Sequence, residues 1–453
     1  MDYLRNLFAS KELRKRVLFT LIMLVIFRLG VQVSVPGVNT ENLRTALQSG
    51  GGNGLFDVVN LFSGGAFLKF SVFALGIAPY ITASIVFQLM GAVVPYLDNL
   101  QKKEGEAGRE KINQWTRYLT VGLAFIQGFG IASLALSQNQ HGLEVVTSTL
   151  SPTGFRLLTA FSLSVGSMFV MWIGEQITER GVGNGISLLI FAGIVAGLPR
   201  GVTTVSMMMM ESLRNAPNVP PPGIFLLLIA AMLVVLLVVV LIESAYRRIP
   251  IHYARRADSA GMSSQRSSYL PLKVNTAGVM PVIFASSMIF FPATIAQFTR
   301  WEWLAKGASY LSPQTHFWTY VPVFVGVTIF FSFFYTSIVF NPDETADNMK
   351  KSGGYVPGIR PGRETSIFLD GILSKLTFVG AVYLAVVSIV PLVILNNIQG
   401  LNFYYGGTSL LIVVGVAMDT QAQMESLLVM RRYDGFMGQG RIRGRSSRAG
   451  RTA

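Results

Sequence analysis

A chain of 453 residues with 51% hydrophobic and only 13% charged residues is too apolar for a water-soluble protein, in which about a quarter of the residues carry charge. Secreted enzymes, disordered tails and repeat solenoids are excluded on that balance, and the lack of any cysteine removes disulfides and thiolate chemistry. The formal charge of +14 would suggest nucleic acid in a soluble protein; here its placement along the chain matters more than its size.

The apolar residues gather into ten blocks, at 17–35, 72–94, 118–138, 154–175, 186–209, 223–243, 275–298, 319–340, 372–395 and 408–430. Each approaches the roughly 20 residues that cross a bilayer as helix. Backbone donors and acceptors find no water in hydrocarbon, so each block is predicted to be helical. The first follows Lys11, Arg14, Lys15 and Arg16 and lacks a small-residue cleavage site, which marks a retained span rather than a signal peptide. Most of the 37 Lys and Arg fall in alternate loops, on the side shared by both termini. That bias predicts a multi-pass membrane protein with both termini in the cytoplasm.

Between residues 55 and 94 lie about 40 mostly apolar residues, more than one crossing requires, interrupted by Ser63, Gly64, Gly65, Lys69 and Gly76. The lengths suit a short re-entrant segment around 57–67, followed by a full helix from Ile77 to Val94. An interfacial helix lying on the outer surface is the alternative. Gly122, Gly128, Gly130 and Gly166 suit close helix packing. The run Gly181, Gly183, Gly185 lacks dinucleotide spacing and follows a span rather than a strand. It reads as a tight turn with Asn184 as N-cap of the fifth span.

The proline-rich stretch 211–222 separates five spans from five. The predicted organisation is an N-terminal half at 1–215, with the short segment at about 57–70, a C-terminal half at 216–430, and a basic tail at 431–453. An odd number of spans per half makes the second half enter from the opposite side, so the halves are expected to be inverted relative to each other, with a pathway at their interface.

Charge within the spans is scarce: Arg28, Asp419, and Glu175 and Arg200 near span ends. Ion-coupled transport needs buried ionisable groups, and intramembrane proteolysis needs a Ser and His or two Asp facing each other. Neither set is evident. His141, His252 and His316 lie between the blocks. No catalytic residue, metal ligand or cofactor is predicted, and the chain is not expected to be an enzyme. A secondary transporter with a midplane small-solute site is the alternative to a channel.

The runs GEQITERGVGNGISLLIFAGIVAGLP from Gly174, LPLKVNTAGVMPVIFASSMIFFPATIA from Leu270 and FNPDETADNMKKSGGYVPGIRPG from Phe340 closely resemble the SecY family, the central subunit of the bacterial protein-conducting channel. LFSGGAFLKFSVFALGIAPYITASI from Leu61 and YGGTSLLIVV from Tyr405 do so too. The resemblance runs through all ten spans in order and tapers off in the outer loops and at the ends.

The resemblance implies an all-α membrane protein of ten spans in two inverted halves, closed by a re-entrant plug. The plug would comprise Asn60, Leu61, Phe62, Ser63, Gly64, Gly65, Ala66 and Phe67. An apolar pore ring would be built from Ile77, Ile81, Ile186, Ile190, Met280 and Ile412, with Met280 departing from the expected isoleucine. A lateral gate would lie between spans 2 and 3 on one side and 7 and 8 on the other. Gln88, Gln127, Ser286 and Ser287 are polar residues on gate-forming spans, and interhelical hydrogen bonding is their simplest role.

The implied substrates are signal peptides and nascent, unfolded polypeptides, which cross the membrane or leave sideways into lipid. The implied partners are the small membrane subunits SecE and SecG, the SecA ATPase and the ribosome. Two long basic loops are the candidate docking sites, with Arg247, Arg248, Arg255 and Arg256 in one and Lys350, Lys351, Arg360 and Arg363 in the other. Contact with anionic lipids is the simpler role for loop arginines and for the tail.

Overall fold

The computed structural model describes residues 11–49, 60, 63–139, 145–147, 151–214, 221–253, 268–298, 302–311, 316–396 and 407–439. Helices occupy all ten apolar blocks: α1 (Lys11–Gly30), α3 (Ala78–Val93), α5 (Gly105–Asn139), α6 (Pro152–Arg180), α7 (Gly185–Leu213), α8 (Pro222–Glu243), α9 (Met280–Phe298), α11 (Phe317–Val339), α13 (Arg363–Asn396) and α14 (Gly407–Gln439). Among the described residues four shorter helices lie between them: α2 (Thr40–Ser49), α4 (Pro95–Lys103), α10 (Glu302–Tyr310) and α12 (Pro342–Lys351). Among the described residues six helices, α5 to α8, α11 and α13, are each long and apolar enough to cross a membrane unaided. α3 has only 16 residues, about 24 Å of helix, and the chain before it supplies the remaining depth.

The helix contacts recur from one half to the other. In the first half the second and third spans touch (α3, α5), as do the third and fourth (α5, α6), the fourth and fifth (α6, α7), and the first with the fourth and fifth (α1 with α6 and α7). In the second half the same relations hold between α9 and α11, α11 and α13, α13 and α14, and α8 with α13 and α14. The halves meet along two seams. At one, α9 lies against α3 and α5; at the other, α7 lies against α8 and α14. The boundary expected at 215/216 falls among residues outside those described. The backbone of α14 runs on to Gln439, into the expected tail, and 440–453 lie outside the described residues.

Close helix approach follows small residues only in part. A Cβ on Gly128 would sit 3.0 Å from Ala160 Cα, so α5 and α6 touch there, whereas Gly122 faces open space. Gly166 admits the Val72 backbone rather than another span. Between α6 and α7 a Cβ on Gly185 would overlap the Gly174 carbonyl. The turn 181–184 between α6 and α7 is tied down by Val182 N donating to Thr20 Oγ1 at 3.1 Å. Asn184 caps α7, its Oδ1 accepting from the amides of Ile186 and Ser187.

The departure from an all-helical protein is a small antiparallel sheet of order β2-β1-β3, formed by β1 (Tyr246–Tyr253), β2 (Ser268–Lys273) and β3 (Gly354–Tyr355). β1 and β2 pair from Tyr246 opposite Lys273 to Ile251 opposite Ser268. β3 crosses from the other loop to pair with His252 and Tyr253. In β1, Ile249 and Ile251 are buried while Arg248 and Pro250 are exposed, the period of two expected of a half-buried strand. The two isoleucines close a core with Leu272, Met349, Val356 and Leu369.

Because a methyl group at Gly185 must displace backbone, Gly185→Ala should destabilise the protein by about 1–3 kcal/mol, the usual range for overpacking. Thermal unfolding in detergent, with Gly122→Ala expected to be neutral, checks this.

Candidate pore and docking site

Four helices place the six predicted ring residues. Ile77 is the N-cap residue of α3, and Ile81 lies one turn further on. Ile186 and Ile190 occupy the first two turns of α7. Met280 opens α9, and Ile412 lies in the second turn of α14. Each i, i+4 pair stands on one helix face. All six belong to a single apolar cluster: Ile77, Ile81, Ile190 and Ile412 are buried within it, and Ile186 and Met280 pack against it half-buried. Ile77 and Ile186 come together at Gly174 of α6, where a Cβ would lie 3.6 Å from each of them.

Residues 63–77 are successive turns rather than a helix, so most of their backbone bonds are not helical. They are satisfied locally and by neighbours. Gly65 N donates to Asn60 O at 2.8 Å, Leu68 N to Asn60 Oδ1 and Phe67 N to Ser63 Oγ. Val72 N and Val35 N bond to the backbone of 33–35 and 70–72, and Ser167 Oγ of α6 donates to Gly76 O at 3.0 Å.

Arg28 of α1 donates Nη1–H to Gly64 O at 2.8 Å. Gly64 has φ +65°, and a Cβ there would fall 2.7 Å from Gly193 Cα. Gly193 is one turn beyond Ile190 on α7, so this segment lies beside α7 at the predicted ring, and Ala66 belongs to the same large apolar cluster. Of the eight predicted plug residues, Asn60 and Ser63 to Phe67 are described, with Ser63, Ala66 and Phe67 buried. Leu61 and Phe62 lie outside the described residues.

Two of the four predicted gate residues bond within their own helices. Gln88 Nε2 donates to Ser84 Oγ at 3.0 Å, and Ser286 Oγ to Val282 O at 2.9 Å. Gln127 and Ser287 are half-buried. Among the described residues, the bonds seen for Gln88 and Ser286 are intrahelical. A Ser or Gln near its preceding turn reaches a local acceptor more readily than one across a helix gap. The seam they border is the contact of α9 with α3 and α5.

Among the predicted docking residues, Arg247 and Arg248 on β1, Lys350 and Lys351 ending α12, and Arg360 and Arg363 after β3 are all exposed. Arg255 and Arg256 lie outside the described residues. The β1–β3 pairing joins the two predicted loops into one basic platform over a shared core. Arg360 is held by its backbone, its carbonyl accepting from Thr365 Oγ1 at 2.8 Å.

Two carboxylates that stood out within the spans, Glu175 and Asp419, each have a basic partner. Glu175 accepts a bidentate pair from Arg117 at 2.9 Å for both bonds. Asp419 Oδ1 accepts from Lys273 Nζ at 3.1 Å. Burial by itself lowers the Lys273 pKa, but the Asp419 carboxylate outweighs this and holds it above the ordinary lysine value. Sequence reading missed the buried Glu243 at the end of α8, whose Oε2 accepts from Asn275 Nδ2 at 3.0 Å. A carboxylate closing a run of 20 apolar residues was the available signal.

Two inverted sets of five spans, an apolar centre shared by both, and a non-helical segment sheltered at membrane depth define a membrane channel or carrier of the repeat type. The comparisons narrow this: the SecY family model matches residues 71–421, and the chain belongs to the SecY family. It is 44% identical over 439 residues to the protein translocase subunit SecY of Escherichia coli K12, covering 96% of each chain. Among solved structures it matches a SecY channel described as having a plug domain that stabilises the closed state and maintains a membrane seal (TM-score 0.63, 17% identity, 95% of each chain). It also matches Sec61 in the canine ribosome-channel complex from the endoplasmic reticulum (TM-score 0.63, 16% identity, 95% of each chain).

Removing the Arg28 side chain deletes a charge-assisted bond to the Gly64 carbonyl. Arg28→Leu should therefore raise amide hydrogen exchange across 63–67 about tenfold, in line with the strength of such bonds, while exchange in α6 stays unchanged.

Proposed function

We propose that this chain is the pore-forming subunit of a protein-conducting channel. It passes unfolded polypeptides across the membrane and releases hydrophobic segments sideways into lipid. The observation that carries this reading is the convergence of Ile77, Ile81, Ile186, Ile190, Met280 and Ile412 from both halves on one apolar cluster, with the segment 63–67 beside it at Gly193. Side chains without donors or acceptors hold water and ions poorly, so a narrow ring of them seals by dewetting. Met280 keeps the seal because its thioether is apolar and adaptable. The segment from Asn60 to Phe67 serves as a plug, anchored in the closed state by Arg28.

The halves, 1–215 and 216–430, open along the seam of α9 with α3 and α5, through which a signal helix reaches lipid. Partitioning then selects which segments leave: each central Leu contributes about −0.3 to −0.6 kcal/mol and each Lys or Arg about +2.5 to +3.5 kcal/mol on the insertion scale.

The energy comes from outside the subunit. In the bacterial inner membrane, with both termini cytoplasmic, the basic platform faces the cytoplasm and docks either the SecA motor or a ribosome. Arg360 is its principal contact, and the ribosomal RNA contact is salt-dependent. SecE and SecG complete the assembly. Anionic lipid headgroups engage the remaining basic residues and the tail. Membership in a translocase family favours this channel over a solute transporter.

Ile81→Gly and Ile190→Gly should make resting membranes leak small ions, read as single-channel conductance in planar bilayers. Wild-type conductance in both variants would reject the ring. Separately, Arg360→Glu should abolish motor-driven and ribosome-coupled export while thermal unfolding stays at the wild-type temperature; normal export would remove Arg360 from the docking site.

A further inference from the structure

The chain linking the basic platform to the apolar cluster, residues 273–280, lies along α14 by a series of contacts. At the platform end Lys273, the last residue of β2, donates to Asp419 Oδ1 at 3.1 Å. Gly278, at φ +61°, leaves the other carboxylate oxygen of Asp419 4.0 Å from the place its Cβ would take. Val279 then packs onto Gly415, where a Cβ would overlap the Val279 methyl. One residue later stands Met280. Asp419 and Ile412 are seven residues apart, two turns along the same face of α14.

The segment is braced on its other side. Asn275 Nδ2 donates both to Gly278 O at 3.1 Å and to Glu243 Oε2 at 3.0 Å. The Val274 amide donates to the Ala245 carbonyl, and Gly380 of α13 admits Asn275 at van der Waals distance. α14 also touches the first half, for Thr420, the neighbour of Asp419, lies against Gly183 in the turn that opens α7.

Resting on the channel reading, we propose that Lys273 and Asp419 are positioning residues. They latch the docking platform to α14 and so hold Met280 and Ile412 in the closed arrangement. Tyr246 and Arg247 stand opposite Lys273 and Leu272 in the β1–β2 ribbon. A partner that pulls on the platform arginines therefore moves Lys273 directly. Losing the ion pair frees α14 to shift against α9, and the ring loosens without any change to its own side chains. Asp419 is in this way given a purpose inside a span that otherwise carries no charge at that depth.

The test is resting ion conductance of the full-length chain in planar bilayers, with thermal unfolding measured alongside. Lys273→Met and Asp419→Asn should each raise conductance about two- to fivefold, the range expected for a half-exposed ion pair that biases a closed state. Combining them should add nothing further. Lys273→Arg should behave as wild type, and the exchanged pair Lys273→Asp with Asp419→Lys should restore most of the seal at an unchanged unfolding temperature. A merely structural role would leave the exchanged pair as leaky as the single variants, and that outcome overturns the latch. Silent single variants also overturn it. Ile190→Gly run in parallel separates the two failures: if it leaks while Lys273→Met does not, the latch falls and the ring stands, and if neither leaks both fall.

Discussion

Backbone amides and carbonyls have no water to bond within hydrocarbon, and this constraint decides where the chain can be anything other than helix. Ten apolar blocks satisfy it internally, turn by turn. The stretch 63–77 does not, and it persists only because the protein surrounds it: Arg28, Ser167, the 33–35 backbone and Gly193 each take up a carbonyl, an amide or a face of it. The same shelter places it beside the apolar cluster. A segment that needs protein around it at membrane depth therefore lies where it can block a passage.

The contact between the halves differs in character from the packing within them. Inside each half, glycines bring helices to backbone contact, as at Gly185 with Gly174 and Gly128 with Ala160. Across the seam of α9 with α3 and α5, the polar side chains Gln88 and Ser286 bond within their own helices. Bonds made within one helix keep these two side chains satisfied when the seam parts, whereas stranded donors in hydrocarbon would be costly. The opposite seam brings Thr420 against the turn before α7.

Charge follows the same division of labour. The in-span carboxylates Glu175 and Asp419 lie toward the platform side, each beside a basic partner, Arg117 or Lys273. Six of the exposed arginines and lysines stand on a small folded platform whose aliphatic core joins β1 and β2 to Leu369 of α13. A rigid platform transmits a push better than two loose loops would, because strand pairing fixes the spacing of Arg248 and Arg360 to the residues that enter α9.

The number and position of the spans, the break before α3, and the turn at 181–184 with its Asn184 cap were legible in the sequence. Hydropathy and helix capping are local properties, and the long motifs are specific to one family. The joining of two distant loops through β1 and β3 was not legible, although the alternation Arg248, Ile249, Pro250, Ile251 carried half of the signal; strand partners are chosen by tertiary contact. The partners of Arg28, Glu243 and Asp419 were equally hidden, since a charge in a span announces that it needs a neighbour but not which one. Sequence alone thus determined what must be helical and apolar, while the tertiary structure decided which faces meet, because only the packed chain brings residues such as Lys273 and Asp419, 146 positions apart, within hydrogen-bonding distance.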